Sequence, residues 1–222
     1  MEFTKPICRR PMRALLLVAL CPLLAGCAMV GLLADKALGP PETPAVYKPD
    51  KKPMLVMVES YKQQSVLESP SDELAQDLSE LIKKHSVSPI VDPMKLLEYR
   101  TEHADRYGTM PVQTIGRELG ASQVLYVNIK GVDVGTPTGG DVYSGTVDVR
   151  VKVVDVSTGR TLWPTGTSDG YQVKVDEGDA MVLASEAPSK HAVQSAMLDD
   201  LADQIVHLFF AYTTDNDPHK SD

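Results

Sequence analysis

The residues of this chain that could do chemistry are three cysteines, five histidines and a scatter of neighbouring carboxylates. The histidines are His85, His103, His191, His207 and His219, and no two of them stand at metal-ligand spacing. His103 sits in EHADR, which lacks the second histidine of a zinc-binding helix. His85 follows a helical stretch, where the negative end of the helix dipole is reason enough for a basic side chain. Ser144-Gly145 and Ser157-Thr158-Gly159 do not make the Gly-x-Ser-x-Gly elbow of a serine hydrolase. Gly139-Gly140-Asp141 lacks the Lys-Ser/Thr of a phosphate loop, and no helical pattern follows it. Asp176-Glu177 and Asp199-Asp200 are adjacent in sequence, whereas glycosidase carboxylates face each other across a cleft. Trp163 and Tyr171 could stack on a sugar, although a tryptophan closing a hairpin is more often a core plug. These residues assemble no catalytic constellation, so the expectation is a protein that is not an enzyme and carries no cofactor and no metal.

Cys27 stands apart because of what precedes it. Lys5, Arg9, Arg10 and Arg13 form a basic start, and Ala14 to Ala25 is an apolar run of signal-peptide length. Leu23-Leu24-Ala25-Gly26 then leads into Cys27. This resembles the bacterial lipoprotein signal, a leucine and two small residues before an invariant cysteine. The resemblance implies cleavage after residue 26 and a diacylglyceryl group on the Cys27 thiol, with palmitate-type chains as the anchor. One acyl chain holds a protein to a bilayer marginally; two or three hold it stably, at about 0.8 kcal/mol per buried methylene. The alternative is a retained span over Ala14–Ala34, which is long enough but is interrupted by Pro22 and Gly26. Ala28 follows the cysteine, where an aspartate would retain a lipoprotein at the inner membrane of enteric bacteria. The expected location is the cell envelope, at the outer membrane and facing the periplasm.

Removing the first 26 of 222 residues leaves 196, enough for one domain behind a tether. The whole chain has a net charge of −8 and the first 26 residues carry +3, so the remainder carries −11. That balance argues against nucleic acid or anionic lipid as a main partner. Cys8 and Cys21 leave with the signal, so Cys27 alone remains, and neither a disulfide nor a thiolate metal site can form within one chain.

Residues 27–52 hold proline and charge and read as a lipidated N-terminus and Pro-rich linker. The domain is expected over 53–212, with a polar tail over 213–222. PMLVMVES (53–60) is a short apolar run bounded by proline, which predicts a buried strand. Ser69, Pro70 and Asp72 form a capping-box start for a helix whose Leu74, Leu78, Leu81 and Ile82 share a face. VSPIVD (87–92) predicts a second strand. Asp92-Pro93 opens a helix with Met94, Leu96 and Leu97 inward. Pro111 opens another, with Val112, Ile115 and Leu119 on one face and Gly120 as its stop. ASQVLYVNIKG (121–131) reads as a central strand and 132–141 as a loop. In the next strand Tyr143, Gly145, Val147, Val149, Val151 and Val153 alternate with Thr146, Asp148, Arg150 and Lys152, one face buried and one wet. Ser157-Thr158-Gly159 turns the chain into Arg160–Trp163. A strand near Gly170–Val175 and a helix over Ser189–Tyr212, with Val193, Met197, Leu201, Ile205, Leu208 and Phe209 buried, complete the pattern. The order predicts an α/β domain: a mixed sheet of about five strands packed by three to four helices.

Four stretches in this order carry a resemblance: PMLVMVES, IGRELGASQVLYVNI, VVDVSTGRTLWP and the closing amphipathic helix. They resemble the periplasmic lipoprotein superfamily that includes the CsgG-like curli-secretion channel lipoprotein and the lipoprotein activators of penicillin-binding proteins; the N-terminal domain of TolB is similar. The resemblance implies a non-catalytic scaffold or accessory role in envelope assembly or secretion. Its implied partners are the membrane through the lipid anchor, envelope proteins and a possible homo-oligomer. Channel-forming members insert long amphipathic hairpins, and GVDVGTPTGGDV is too short and polar to span a bilayer. The competing expectation is a periplasmic module that binds glycan or another small ligand. In the scaffold reading the binding surface would be the wet face or edge of the sheet, or the loop 132–141.

Overall fold

The computed structural model describes residues 42–60, 70–134, 142–143, 145–175, 182–183 and 190–213. The signal segment 1–26, Cys27, Ser69, Gly139–Asp141, Ser144, Asp176-Glu177, His219 and the tail beyond 213 lie outside them. The chain divides into two compact units, one of Met1–Thr43 with Thr213–Asp222, the other Pro44–Tyr212. Of the first unit the described residues are the two-residue strand Glu42–Thr43 and Thr213.

The second unit is built on a five-stranded mixed sheet. Strand β1 (Met54–Ser60) runs parallel to β2 (Gln123–Val134), and β2 pairs antiparallel with β3 (Gly145–Asp155). The far edge of β3 is shared by β4 (Thr161–Trp163) and β5 (Tyr171–Val175), both antiparallel to it. Four helices cover the sheet: α1 (Pro70–Lys84), α2 (Pro93–Glu102), α3 (Val112–Glu118) and α4 (Lys190–His207).

β1 is buried on both faces, which is why it reads as an unbroken apolar run rather than an alternation. Met54, Val56 and Val58 join Leu125, Val127 and Val147–Val153 at odd positions in a core closed by α1 and α4. Leu55 and Met57 join Val124, Tyr126 and Val154 in a second core, closed by Leu96, Tyr99 and Ile115 of α2 and α3. Each large apolar side chain fully buried here contributes roughly 1.5–3 kcal/mol. The expected stripe of α1 holds, with Leu74, Leu78 and Ile82 fully buried and Leu81 half-buried. Gly120 stops α3 at a φ of 79°, the left-handed conformation glycine adopts without strain.

Several expectations are corrected. Residues 87–92 form no strand: a single bridge joins Ile90 to Met54. Pro89 has no N–H to offer, and Asp92 turns the chain into α2 by accepting the Met94 N–H at 3.0 Å. In α2, Leu96 is buried but Met94 and Leu97 are 56% and 45% exposed. The face against the sheet is filled by Leu96 with Tyr99, three residues on, so Met94 and Leu97 point elsewhere on a helix of 3.6 residues per turn. β2 continues to Val134, so the loop is shorter than 132–141, and a bulge between Ile129 and Gly131 absorbs one residue. α4 ends at His207 rather than Tyr212. Its last turn tightens through Leu208 N–H to Ile205 O and Phe209 N–H to Val206 O, which drops Phe209 into the core.

The second compact unit begins at Pro44. Pro49 is buried, the Tyr47 N–H bonds the Leu208 carbonyl at 2.9 Å, and the Tyr47 ring stacks on Trp163 at 5.9 Å.

Candidate functional site

Alternation along the strands sets up a polar surface on one face of the sheet. Val147, Val149, Val151 and Val153 point into the α1/α4 core, so Asp148, Arg150 and Lys152 point the other way. The same parity puts Glu59 of β1, Asn128 of β2, and Gln172 and Lys174 of β5 on that second face, beyond the part filled by the α2/α3 core. Pairing register places Glu59, Asn128, Arg150 and Gln172 in one row across four strands. Tyr126 lies opposite Lys152, and Asp148 opposite Lys174.

Most of these groups satisfy one another. The Tyr126 hydroxyl donates to Glu59 at 2.7 Å, and the Lys152 ammonium sits 4.9 Å above the Tyr126 ring. Gln172 donates to both oxygens of Asp148, at 3.1 and 3.0 Å. Two groups differ. Asn128 is only 9% exposed, and its Oδ1 has no hydrogen-bond partner. Arg150 is half-buried and has no bonded or ion-paired partner among the described residues.

A second feature is an open groove of about 950 Å³ between α1 and the segment leading into α2. Ser79, Glu80 and Lys83 form one side, and Pro89, Ile90 and Met94 the other. A third is an acidic cluster where α1 meets α4. Burial, and then the charges of Asp199, Glu73 and Glu80, push the Asp77 carboxyl up to about 6. Glu73 accepts a hydrogen bond from Ser195 across this helix pair.

The sequence-selected residues are scattered. His85 stacks on Phe210 at 4.1 Å, and His103 on Tyr99 at 4.2 Å. Burial lowers the His85 pKa, so ring packing rather than a protonated partner for the helix dipole accounts for it. Trp163 is 8% exposed and edge-packed on Phe209 at 5.7 Å, a core plug. Tyr171 lies 5.1 Å from it and is 40% exposed. Asp200 is buried and accepts from Gln204 at 3.1 Å, whereas Asp199 faces the cluster around Asp77. Among the described residues no group of three or more His, Cys, Asp or Glu side chains could hold a metal ion. Among them, too, no helix is long and apolar enough to cross a membrane. The wet face of β3 was legible from alternation, but Asn128, Glu59 and Gln172 were not. The one available signal was an asparagine inside the otherwise apolar run LYVNI.

No protein-family model matches this chain, and no curated protein matches it. Among solved structures it is similar to lipoprotein GNA1162 from Neisseria meningitidis, at 12% identity over 69% of this chain and 97% of that one, with a TM-score of 0.43. It is similar to protein XCC0632 from Xanthomonas campestris, at 8% identity over 74% of this chain and 86% of that one, with a TM-score of 0.46. It is also similar to the LpoB C-terminal domain from Salmonella enterica, at 14% identity over 57% of this chain and 83% of that one, with a TM-score of 0.37. Bacterial lipoproteins are therefore among the proteins this chain is similar to.

Proposed function

We propose that this protein is a lipid-anchored lipoprotein of the bacterial cell envelope, of the superfamily its sequence resembles, and that it acts without catalysis as a scaffold or accessory factor. The observation that carries this reading is Leu23–Cys27 behind a basic and then apolar segment. The polar sheet face supports it, because it offers a broad polar surface on which Arg150 has no bonded partner among the described residues. Cys27 holds the acyl chains, the linker spaces the domain from the bilayer, and the domain engages envelope proteins or further copies of itself at the outer membrane, on the periplasmic side. The test is Cys27→Ser with fractionation and labelled-palmitate incorporation in cells. The wild type takes up label and pellets with membranes; an unlabelled wild type, or a variant that still pellets, defeats the anchoring.

A second reading, a periplasmic module for glycan or another small ligand, is favoured by the groove beside α1, whose volume suits a small ligand. Its test is Met94→Lys against a glycan array. The wild type must bind a saccharide and the variant lose it for this reading to stand.

A further inference from the structure

The chain reaches α2 through extended backbone that carries the sheet one residue past β1. Met54 donates its N–H to the Pro89 carbonyl at 2.8 Å, and Val91 donates its N–H to the Met54 carbonyl at 2.9 Å. The Pro89 carbonyl and the Val91 N–H therefore face β1. A strand residue turns its N–H and C=O to the side opposite its neighbours', so both groups of Ile90 face away from β1. Neither has a hydrogen-bond partner among the described residues. The side chains agree: Ile90 packs against the α1/α4 core and Val91 against the α2/α3 core, so the backbone between them lies in the plane of the sheet. Ile90 is half-buried, Pro89 is exposed, and both line the groove beside α1. The two unpaired backbone groups thus lie at a surface that a partner can reach, and they make Ile90 an open sheet edge.

The walls of the groove narrow what this edge can take. On the α2 side stands the exposed Met94, with the exposed Leu97 three residues further along the same helix. On the α1 side stand Gln76, Glu80 and Lys83. The rim does not select on charge, because Lys51 and Lys83 balance Glu80 and Asp92. Lys51 is bonded to the Ser86 carbonyl, Glu80 takes the Gln76 amide at 3.4 Å, and Asp92 takes the Met94 N–H at 3.0 Å. An uncharged occupant matches such a rim. No aromatic ring lines the groove among the described residues, so a sugar finds no flat face to stack on. An antiparallel peptide strand brings a donor and an acceptor on one residue, and its alternating side chains meet the two walls in turn. Pro89, which has no N–H, and the start of α2 at Pro93 limit the pairing to Ile90.

We infer that the groove between α1 and the segment leading into α2 takes an extended, uncharged segment of a protein partner by strand addition. One residue of that segment exchanges both backbone hydrogen bonds with Ile90, and its polar side chain lies against α1. The residues on either side of it are apolar and lie against Met94. This deepens the scaffold reading and rests on it: it names the surface and the chemistry of the contact.

The test uses the full chain as cells make it, labelled with ¹⁵N and with ¹³C in the methionine methyl groups, and follows the Ile90 amide and the Met94 methyl. The probes are acetyl-Ala-Leu-Gln-Leu-Ala-amide, the same peptide N-methylated at its glutamine, and an N-acetylglucosamine tetramer. The first peptide should move both resonances. The N-methyl peptide cannot donate to the Ile90 carbonyl and should bind at least about tenfold more weakly. Met94→Ser, at an exposed position that leaves the core untouched, should weaken binding severalfold. A parent peptide that moves neither resonance at millimolar concentration overturns the proposal. So does an N-methyl peptide that binds as well as its parent, since strand pairing would then play no part. A saccharide that moves both resonances while the peptide moves neither also overturns it, in favour of the glycan reading. Peptide binding that holds while Cys27→Ser leaves the chain at the membrane supports this site although the anchoring falls. Absent peptide binding while Cys27→Ser releases the chain overturns this site alone.

Discussion

Gln123, the first residue of β2, donates its side-chain N–H to the backbone carbonyl of Asp50 at 2.7 Å, joining two residues 73 positions apart in the chain. Ser88 completes the link: its hydroxyl accepts from Gln123 at 2.9 Å and meets the carbonyls of Asp50 and Lys52 at 2.9 and 2.8 Å. Gln123 is 2% exposed, so these bonds form away from competing water. They fasten the segment ahead of β1 to the sheet. Gln123→Leu removes the hydrogen bonds its amide donates to the Asp50 and Lys52 carbonyls and to the Ser88 hydroxyl, at about 1–3 kcal/mol. The expected outcome is a lower urea midpoint together with faster proteolysis near Lys51 and Lys52. A variant that loses stability without faster cleavage there would show that the network is not what holds this segment down.

Gly116 in α3 sits where the helix touches the sheet. A methyl group there would lie 2.8 Å from a methyl of Val124 and 2.8 Å from a methyl of Val156. Two effects oppose each other in Gly116→Ala: alanine favours the helix by about 1 kcal/mol, while overpacking costs about 1–3 kcal/mol. Both neighbours are buried, branched and unable to swing aside, so overpacking wins. Thermal unfolding should give a Tm several degrees below wild type, and an unchanged or raised Tm would mean that α3 can lift from the sheet at little cost.

The pattern of apolar residues made most of this fold legible, and the failures have local causes. Alternation in β3 and the spacing in α1 and α4 are long signals, and they placed the core side chains. VSPIVD is short and bounded by proline, so its apolar residues could not reveal that Ile90 makes one bridge only. Met94 and Leu97 look like core residues until Tyr99, a polar-tipped aromatic, takes the inward position. The candidate site was half legible for a similar reason. Strand parity exposes Arg150, but that Asn128 lies opposite it depends on the register of β2 against β3, which a bulge at Ile129–Gly131 resets further along.

Arg100 closes the outer edge of β1. Its Nη2 donates to the Val58 carbonyl at 3.1 Å, its Nη1 pairs with Asp72 at 2.6 Å, and its Nε donates to the Tyr107 hydroxyl at 3.0 Å. The Asp72 side chain is 50% exposed, so that ion pair contributes little, about 0–1 kcal/mol. The carbonyl and the Tyr107 hydroxyl are the costlier losses. Arg100→Met should therefore destabilise the domain by about 1–3 kcal/mol, and Asp72→Ala by well under half as much. Arg100→Lys restores one donor but not the fork, and rescues only in part. Equal losses for Arg100→Met and Asp72→Ala in urea titrations would place the effect in the ion pair instead.

Asp77 makes the α1–α4 contact sensitive to pH. Burial, and then the charges of Asp199, Glu73 and Glu80, together raise its carboxyl from 3.8 to about 6. The group ionises more easily in the unfolded chain than in the folded one, so between about pH 4 and pH 6 the folded state holds the extra proton. Stability from this group is therefore highest below the unfolded value, falls as pH rises through that window, and stays at its lower level above the folded value. Asp77→Asn cannot ionise and should escape the penalty. Because Asp77 is partly exposed, solvent screening reduces the gain to about 1 kcal/mol. The Asn variant should unfold at higher urea concentration than wild type at pH 7.5, and the two should converge as pH approaches 4. A difference that does not change between those two pH values would show that the carboxylate charge is not the source of the penalty.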